Sequence, residues 1–350
     1  MMEVRALSKL PSPQEIKESY PINKEAAIFR RQKLDELKKI LKGEDQRFIL
    51  LIGPCSADRE DAVLDYIERL KTLEEELSEY FLFIPRIYIH KPRTKGVGYK
   101  GLGQSPDPLK MPNLLKGIIA GRKLHRKVLC TYAMVTCDEL LYPDNFDYFD
   151  DILAYVAVGA RSVENQEHRF VASGLGLPVG MKNPTSGDLS VMMNGIYAAQ
   201  HSQVFAYRGW EVKSHGNPYA HAILRGYTNK RGHMLGNYTR KDLLEVENLF
   251  STYALKNPSL IVDCNHDNSG KNPFFQKEVV MSVLQSYEEK KLLGKLIKGF
   301  MIESYLEDGC QKPSEKVYGK SITDPCLGIE KTRILLYQME ERLSEIWSKK

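Results

Sequence analysis

From Phe48 onward, short apolar runs alternate with longer stretches of helical spacing, and this rhythm constrains the chain more than anything else in it. The runs cover residues 48–52, 81–89, 128–132, 154–158, 177–181, 204–207, 260–262 and 297–302. They are short and rich in β-branched and aromatic residues, which reads as buried strand. Between them, apolar residues recur every three or four positions, as in Val63, Ile67, Leu70, Leu73 and Leu77. A last stretch of this kind, 332–347, carries Leu336, Met339, Leu343 and Ile346. Eight strands, each followed by a helix, predict an α/β fold, a (β/α)8 TIM barrel rather than an open sheet.

Two segments fall outside the rhythm. Residues 1–45 read as an N-terminal extension, broken by Pro11, Pro13 and Pro21 and followed by a charged helix over about 23–41 that Gly43 closes. Such an arm cannot bury a core alone, so it is expected to dock on its own body or on another subunit; residues 46–350 then form the catalytic barrel. The second segment is the long connection after the sixth run, about 209–240. It contains another apolar run ending in a cation, His221-Ala222-Ile223-Leu224-Arg225-Gly226. The expectation is a β-hairpin insertion after strand six that brings Arg225 over the barrel mouth, because a long loop without structure of its own is uncommon.

Composition narrows the partners. Fifty basic and 45 acidic residues leave a formal charge of +5, too weak and dispersed for a nucleic-acid surface. The sequence has no apolar stretch of membrane-spanning length and no signal-peptide core, so a cytoplasmic protein without membrane contacts is expected. The six cysteines are scattered in neither a disulfide nor a zinc-finger pattern, and are expected reduced.

A barrel places its chemistry where the strands end. Polar groups are indeed concentrated there: Gly53-Pro54-Cys55-Ser56, Lys91-Pro92-Arg93-Thr94, Gly159-Ala160-Arg161, Lys182-Asn183, Asp263-Cys264-Asn265-His266 and Glu303-Ser304. The opposite ends of these strands show nothing comparable. One constellation is cationic: Arg86, Lys91, Arg93, Arg161, Lys182 and Arg225. Converging on one mouth, these residues would repel one another unless dianions lay between them, which favours a phosphorylated and carboxylated small molecule. The other is Cys55, His266, Glu303 and Asp324, the last on the loop Gly319-Lys320-Ser321-Ile322-Thr323-Asp324. Thiol, imidazole and two carboxylates suit a divalent first-row ion such as Mn, Fe, Co or Zn. Glu139 is a lesser candidate, for orienting a cation.

In this order the motifs closely resemble the type I 3-deoxy-D-arabino-heptulosonate 7-phosphate (DAHP) synthases, from about Arg47 to Trp347. The resemblance rests on Ile52–Ser56, Lys91–Thr94, Gly159–Arg161 through His168-Arg169, Pro178–Asn183, Ile223–Gly226, Asp263–His266 with Asn268-Ser269, Glu303-Ser304 and Gly319–Asp324. It implies a metal-dependent condensation of phosphoenolpyruvate with erythrose 4-phosphate, the entry to aromatic amino acid biosynthesis. By matching positions, Cys55, His266, Glu303 and Asp324 would bind the metal. Arg86, Lys91, Arg161, Lys182 and Arg225 would hold phosphoenolpyruvate, with Ala160 beside them. Arg93 and Thr94, next to Pro92, would face the sugar phosphate. Lys91, Cys55 and His266 would stand at the chemistry, Lys91 as a proton-transfer group whose pKa the surrounding cations should lower.

The resemblance also implies a homodimer or homotetramer and an aromatic amino acid inhibitor. His90 and Ile329 depart from the family pattern, as do the stretches 104–113 and 209–219. These departures leave the proposed ligands in place and bear on inhibitor and substrate preference. A related synthase that uses a five-carbon acceptor, and a catalytically silent barrel, are the competing expectations. Lys91-Pro92-Arg93-Thr94 and the complete ligand set speak against them.

Overall fold

A computed structural model describes residues 3–289 and 291–349. Eight parallel strands, numbered here β1 to β8, run Phe48–Gly53, Phe81–Pro85, Thr136–Glu139, Leu153–Val158, Val179–Lys182, Ala220–Leu224, Leu260–Asp263 and Ile297–Tyr305. Their neighbour order is β2-β1-β8-β7-β6-β5-β4-β3. The ring is nearly closed. Between β2 and β3 it is joined by the bridge of Arg86 with Cys137, where Ile87 N donates to Cys137 O at 3.0 Å. Helices Glu60–Leu77, Leu114–Tyr132, Gln166–Gly174, Leu189–Gln200, Arg240–Thr252, Gln276–Glu289 and Ile329–Ser348 surround it. The fold is the (β/α)8 barrel expected from the alternation.

Two of the eight runs have a different place from the one their composition suggests. Residues 128–132 are the last turns of the helix Leu114–Tyr132, whose buried Ile118, Leu124 and Val128 keep one helical face. The third strand is Thr136–Glu139 instead. Val204–Tyr207 is a strand, but it pairs antiparallel with Trp210–Lys213 outside the ring, turning through Arg208 and Gly209 at φ 51° and 79°. The run at 220–224, expected in a hairpin, is the sixth barrel strand, buried throughout. A short hairpin, Tyr227–Thr228 with Met234–Leu235, follows it.

The arm docks under the barrel. Its helix, Lys24–Lys42, is capped by the Asn23 side chain at one end and by Gly43 at φ 80° at the other. Leu37, Ile40 and Leu41 are buried against the core. Arg30 donates to Asp150 O at 2.6 Å and Leu153 O at 2.8 Å, and Ser259 Oγ donates to Leu41 O at 2.9 Å. These carbonyls and hydroxyls stand where β4 and β7 begin, so the arm covers the end of the barrel away from the chemistry. Among the described residues no helix is long and apolar enough to cross a membrane.

The loop that carries Lys91 to Thr94 is tied back to the segment that follows β2. Lys91 N donates to Lys100 O at 2.9 Å and Gly103 N to Ile89 O at 2.8 Å. Gly101, at φ 98°, makes this close approach; a Cβ there would lie 2.2 Å from Ile89 O. Gly101→Ala is therefore expected to destabilise the protein by about 1–3 kcal/mol through backbone strain. A urea midpoint shifted down at constant slope would show it.

Candidate active site

The strand ends converge on a cavity of about 180 Å³. Cys55 reaches it from β1; Arg86, Tyr88 and the run Lys91 to Thr94 come from β2 and its loop. Ala160 and Arg161 follow β4, Lys182 ends β5, Arg225 follows β6, and His266 follows β7. Asp324 returns from the loop beyond β8. Glu303 lies inside β8, behind the wall and fully buried. All the residues singled out in the sequence thus meet in one region. Tyr88, Thr185 and Lys271, not singled out, also line the cavity.

The repulsion expected among the cations is relieved by the protein's own carboxylates. Arg86 Nη2 lies 2.9 Å from Glu303 Oε1, Lys91 Nζ 2.9 Å from Asp324 Oδ2, Lys182 Nζ 2.8 Å from Asp263 Oδ2, and Arg225 Nη1 2.7 Å from Asp267 Oδ2. Asp263 and Asp267 are counter-ions that local sequence could not reveal, because each partner comes from another strand end. Burial acts to raise the Asp263 pKa, but His266 and Lys182 outweigh it and hold the carboxyl ionised.

Not every donor is satisfied. Arg86 is 1% exposed, yet its Nε and Nη1, with the Tyr88 hydroxyl beneath, have no protein partner. The guanidinium stacks 4.2 Å over the Tyr88 ring. A buried donor without an acceptor costs about 1–3 kcal/mol, which an anionic ligand would recover. At the rim, Arg161 Nε donates to Thr94 Oγ1 at 3.1 Å, and Arg93 Nε to Tyr99 O at 2.7 Å. Glu139 is half-buried at the cavity wall; desolvation raises its pKa, with Lys182 and Lys91 opposing.

Lys91 corrects the expectation drawn from the cation cluster. Burial acts to lower its pKa, but Cys55, Asp324 and Glu303 outweigh it, and the net shift is upward. Its nearest charges are anions, not cations, so the side chain is held as an ammonium.

Cys55, Glu303 and Asp324 present ligand atoms within 4.8 Å of one another, the one such group of three among the described residues. His266 stands beside them, with Nε2 3.7 Å from Glu303 Oε1 and Nδ1 2.9 Å from Asp263 Oδ2. The donor set fits a divalent ion in two respects. It mixes soft sulfur with hard oxygen, as first-row ions accept. It also already faces a cation, since Lys91 Nζ lies 2.7 Å from Cys55 Sγ and 2.9 Å from Asp324 Oδ2. Burial, then Glu303, pushes the Cys55 thiol up to about 12, so metal binding there would release its proton. Asp324 is held well below the usual carboxylate range: burial opposes this, but Lys91, His266 and Lys271 prevail.

Comparison with known proteins places the chain in a family. The DAHP synthetase I family model matches residues 19–337. The phospho-2-dehydro-3-deoxyheptonate aldolase of Corynebacterium glutamicum is 32% identical over 357 residues, covering 98% of this chain and 94% of its own. The Tyr-sensitive enzyme of that name from Escherichia coli K12 is 34% identical over 346 residues, covering 96% and 93%. The solved aldolase structure from Francisella tularensis superposes with a TM-score of 0.90 at 28% identity, over 98% of this chain and 99% of that one. The match spans arm and barrel alike, and the chain belongs to the DAHP synthetase I family.

Proposed function

We propose that this enzyme condenses phosphoenolpyruvate with erythrose 4-phosphate, using a divalent metal, and releases DAHP and phosphate. The observation that carries the reading is the buried, half-satisfied Arg86 facing a cavity that Cys55 and Asp324 also line, with Glu303 behind its wall. The unpartnered guanidinium nitrogens ask for an oxyanion, and the thiol and carboxylates beside them ask for a cation.

In this reading Arg86, Arg161, Lys182 and Arg225 hold the phosphate and carboxylate of phosphoenolpyruvate, while Arg93 and Thr94 take the phosphate of the acceptor. Holding both partners presents C3 of the enol phosphate to the aldehyde carbon, and positioning of this kind supplies much of the rate. A metal on Cys55, His266, Glu303 and Asp324 would supply Lewis acidity at the aldehyde oxygen. As the C–C bond forms, the aldehyde oxygen takes a proton, for which the protonated Lys91 is the donor. Positive charge develops at C2, where the oriented carboxylates offset it. Water adds to C2 and one of its protons returns to Lys91; phosphate then leaves with cleavage of its C–O bond and takes the remaining hydroxyl proton, giving the ketone.

The test is phosphate release from phosphoenolpyruvate and erythrose 4-phosphate before and after chelation. Activity should be lost with the metal and return with Mn, Fe, Co or Zn. Unchanged turnover after complete metal removal would refute the metal, and faster turnover with arabinose 5-phosphate would refute the acceptor.

Feedback inhibition by an aromatic amino acid is part of the same proposal. A relative is named Tyr-sensitive. A second cavity, about 680 Å³, lies between the arm and the hairpin 204–213, lined by Arg30, Asp147, Leu175, Phe205 and Val212. Apolar walls with charges of both signs suit a zwitterion with an aromatic side chain. Adding each aromatic amino acid to the assay in turn tests it.

A further inference from the structure

The guanidinium of Arg225 is held before any ligand arrives. Nη1 donates to Asp267 Oδ2 at 2.7 Å and Nη2 to Asp267 Oδ1 at 3.3 Å. Both side chains are buried, each residue 6% exposed. Thr228 Oγ1, on the short hairpin after β6, donates to the same Oδ2 at 2.9 Å. The backbone makes the arrangement rigid: Asp267 N donates to Arg225 O at 3.2 Å, and Thr228 N to Thr185 O at 2.9 Å. Asn183 Oδ1 accepts from Arg225 N at 2.9 Å. Three strand ends, those of β5, β6 and β7, thus fix one side chain. Asp267 takes one proton from each terminal nitrogen and Gly226 O accepts a second from Nη1 at 3.5 Å, so Nε and the other Nη2 proton form the edge left for a ligand.

We propose that Asp267, braced by Thr228, is a positioning residue that fixes the Arg225 fork for the anionic donor and acts through Arg225 alone. The inference rests on the donor site described above. A long cationic side chain immobilised only on ligand binding weakens affinity by roughly two- to tenfold relative to one already held. Asp267 also carries charge, so its removal would mix orientation with electrostatics. Two changes isolate orientation at constant charge. Thr228→Val removes one of the three hydrogen bonds to Asp267, and Asp267→Glu keeps the carboxylate but moves it by a methylene.

Both variants should raise KM for phosphoenolpyruvate roughly two- to tenfold, with the effect on KM rather than kcat, and Thr228→Ser should restore the parent value. In an Arg225→Lys background, which has no fork to orient, Thr228→Val should add nothing. The inference is overturned if Thr228→Val and Asp267→Glu both leave KM within twofold of the parent, or if the Thr228→Val effect persists without Arg225. Failure of the parent itself to turn over phosphoenolpyruvate would remove the donor site and this inference together. Thr228→Val is only partly buried and conservative in shape, so the test stands even if Asp267→Glu does not fold.

Discussion

Cys55→Ala is expected to lower turnover by about three orders of magnitude while leaving the barrel folded. The sulfur is one of three donors within 4.8 Å of one another, and no other cysteine or histidine belongs to that group among the described residues. A catalytic metal supplies several kcal/mol of transition-state stabilisation; about 4 kcal/mol corresponds to a thousandfold. The structural cost is small by comparison. The backbone of residue 55 keeps its contacts, N to Cys326 Sγ at 3.4 Å and O from Arg86 Nη2 at 3.5 Å. Losing one buried sulfur leaves a cavity worth about 1 kcal/mol. Metal content, far-UV circular dichroism and kcat measured on one preparation check it. A variant that keeps its metal stoichiometry and its rate would take Cys55 out of the ligand set.

Arg86→Ala should fail differently, in stability as well as rate. The guanidinium is 1% exposed and pairs with a fully buried Glu303. Truncation leaves that carboxylate uncompensated, a loss of about 3–5 kcal/mol. The double change Arg86→Met with Glu303→Gln removes both charges and should recover most of the stability but none of the activity. Urea unfolding beside a turnover assay separates the two effects. If Arg86→Ala unfolds at the parent midpoint, the pair does not have the energetic weight its burial implies.

The contrast between strands and site shows what local sequence carries. The runs at 48–52 and 154–158 are fully buried strands, and an apolar run bounded by turn residues reads correctly there. The run at 128–132 reads the same way, yet it continues the face set by Ile118 and Leu124, and the longer period prevails over β-branched content. At 204–207 and 220–224 two apolar runs compete for one barrel position. The exposed one is betrayed only by Arg208-Gly209, a turn pair with both φ positive. Arg225 lines the cavity all the same, because it follows the second run whichever role that run has. Asp267 and Lys271 act through partners dozens of residues away, as Asp263 does toward Lys182, and no spacing rule reaches those pairs. The upward shift of Lys91 is invisible in local sequence for the same reason: its carboxylates, Glu303 and Asp324, lie within β8 and beyond it.

The bridge between Arg86 and Cys137 has a further consequence. Elsewhere round the ring, neighbouring strands share ladders of three or more paired residues, whereas β2 and β3 share this one bridge. Breathing of the cylinder should therefore begin there, and the amide proton of Ile87, which is donated across that bridge, should exchange with solvent ahead of those in β1 or β8. Arg86 is both the hinge pin of that gap and the half-satisfied donor beside it. An oxyanion held by its free nitrogens would act as a clasp, slowing exchange across the gap as well as occupying the cavity.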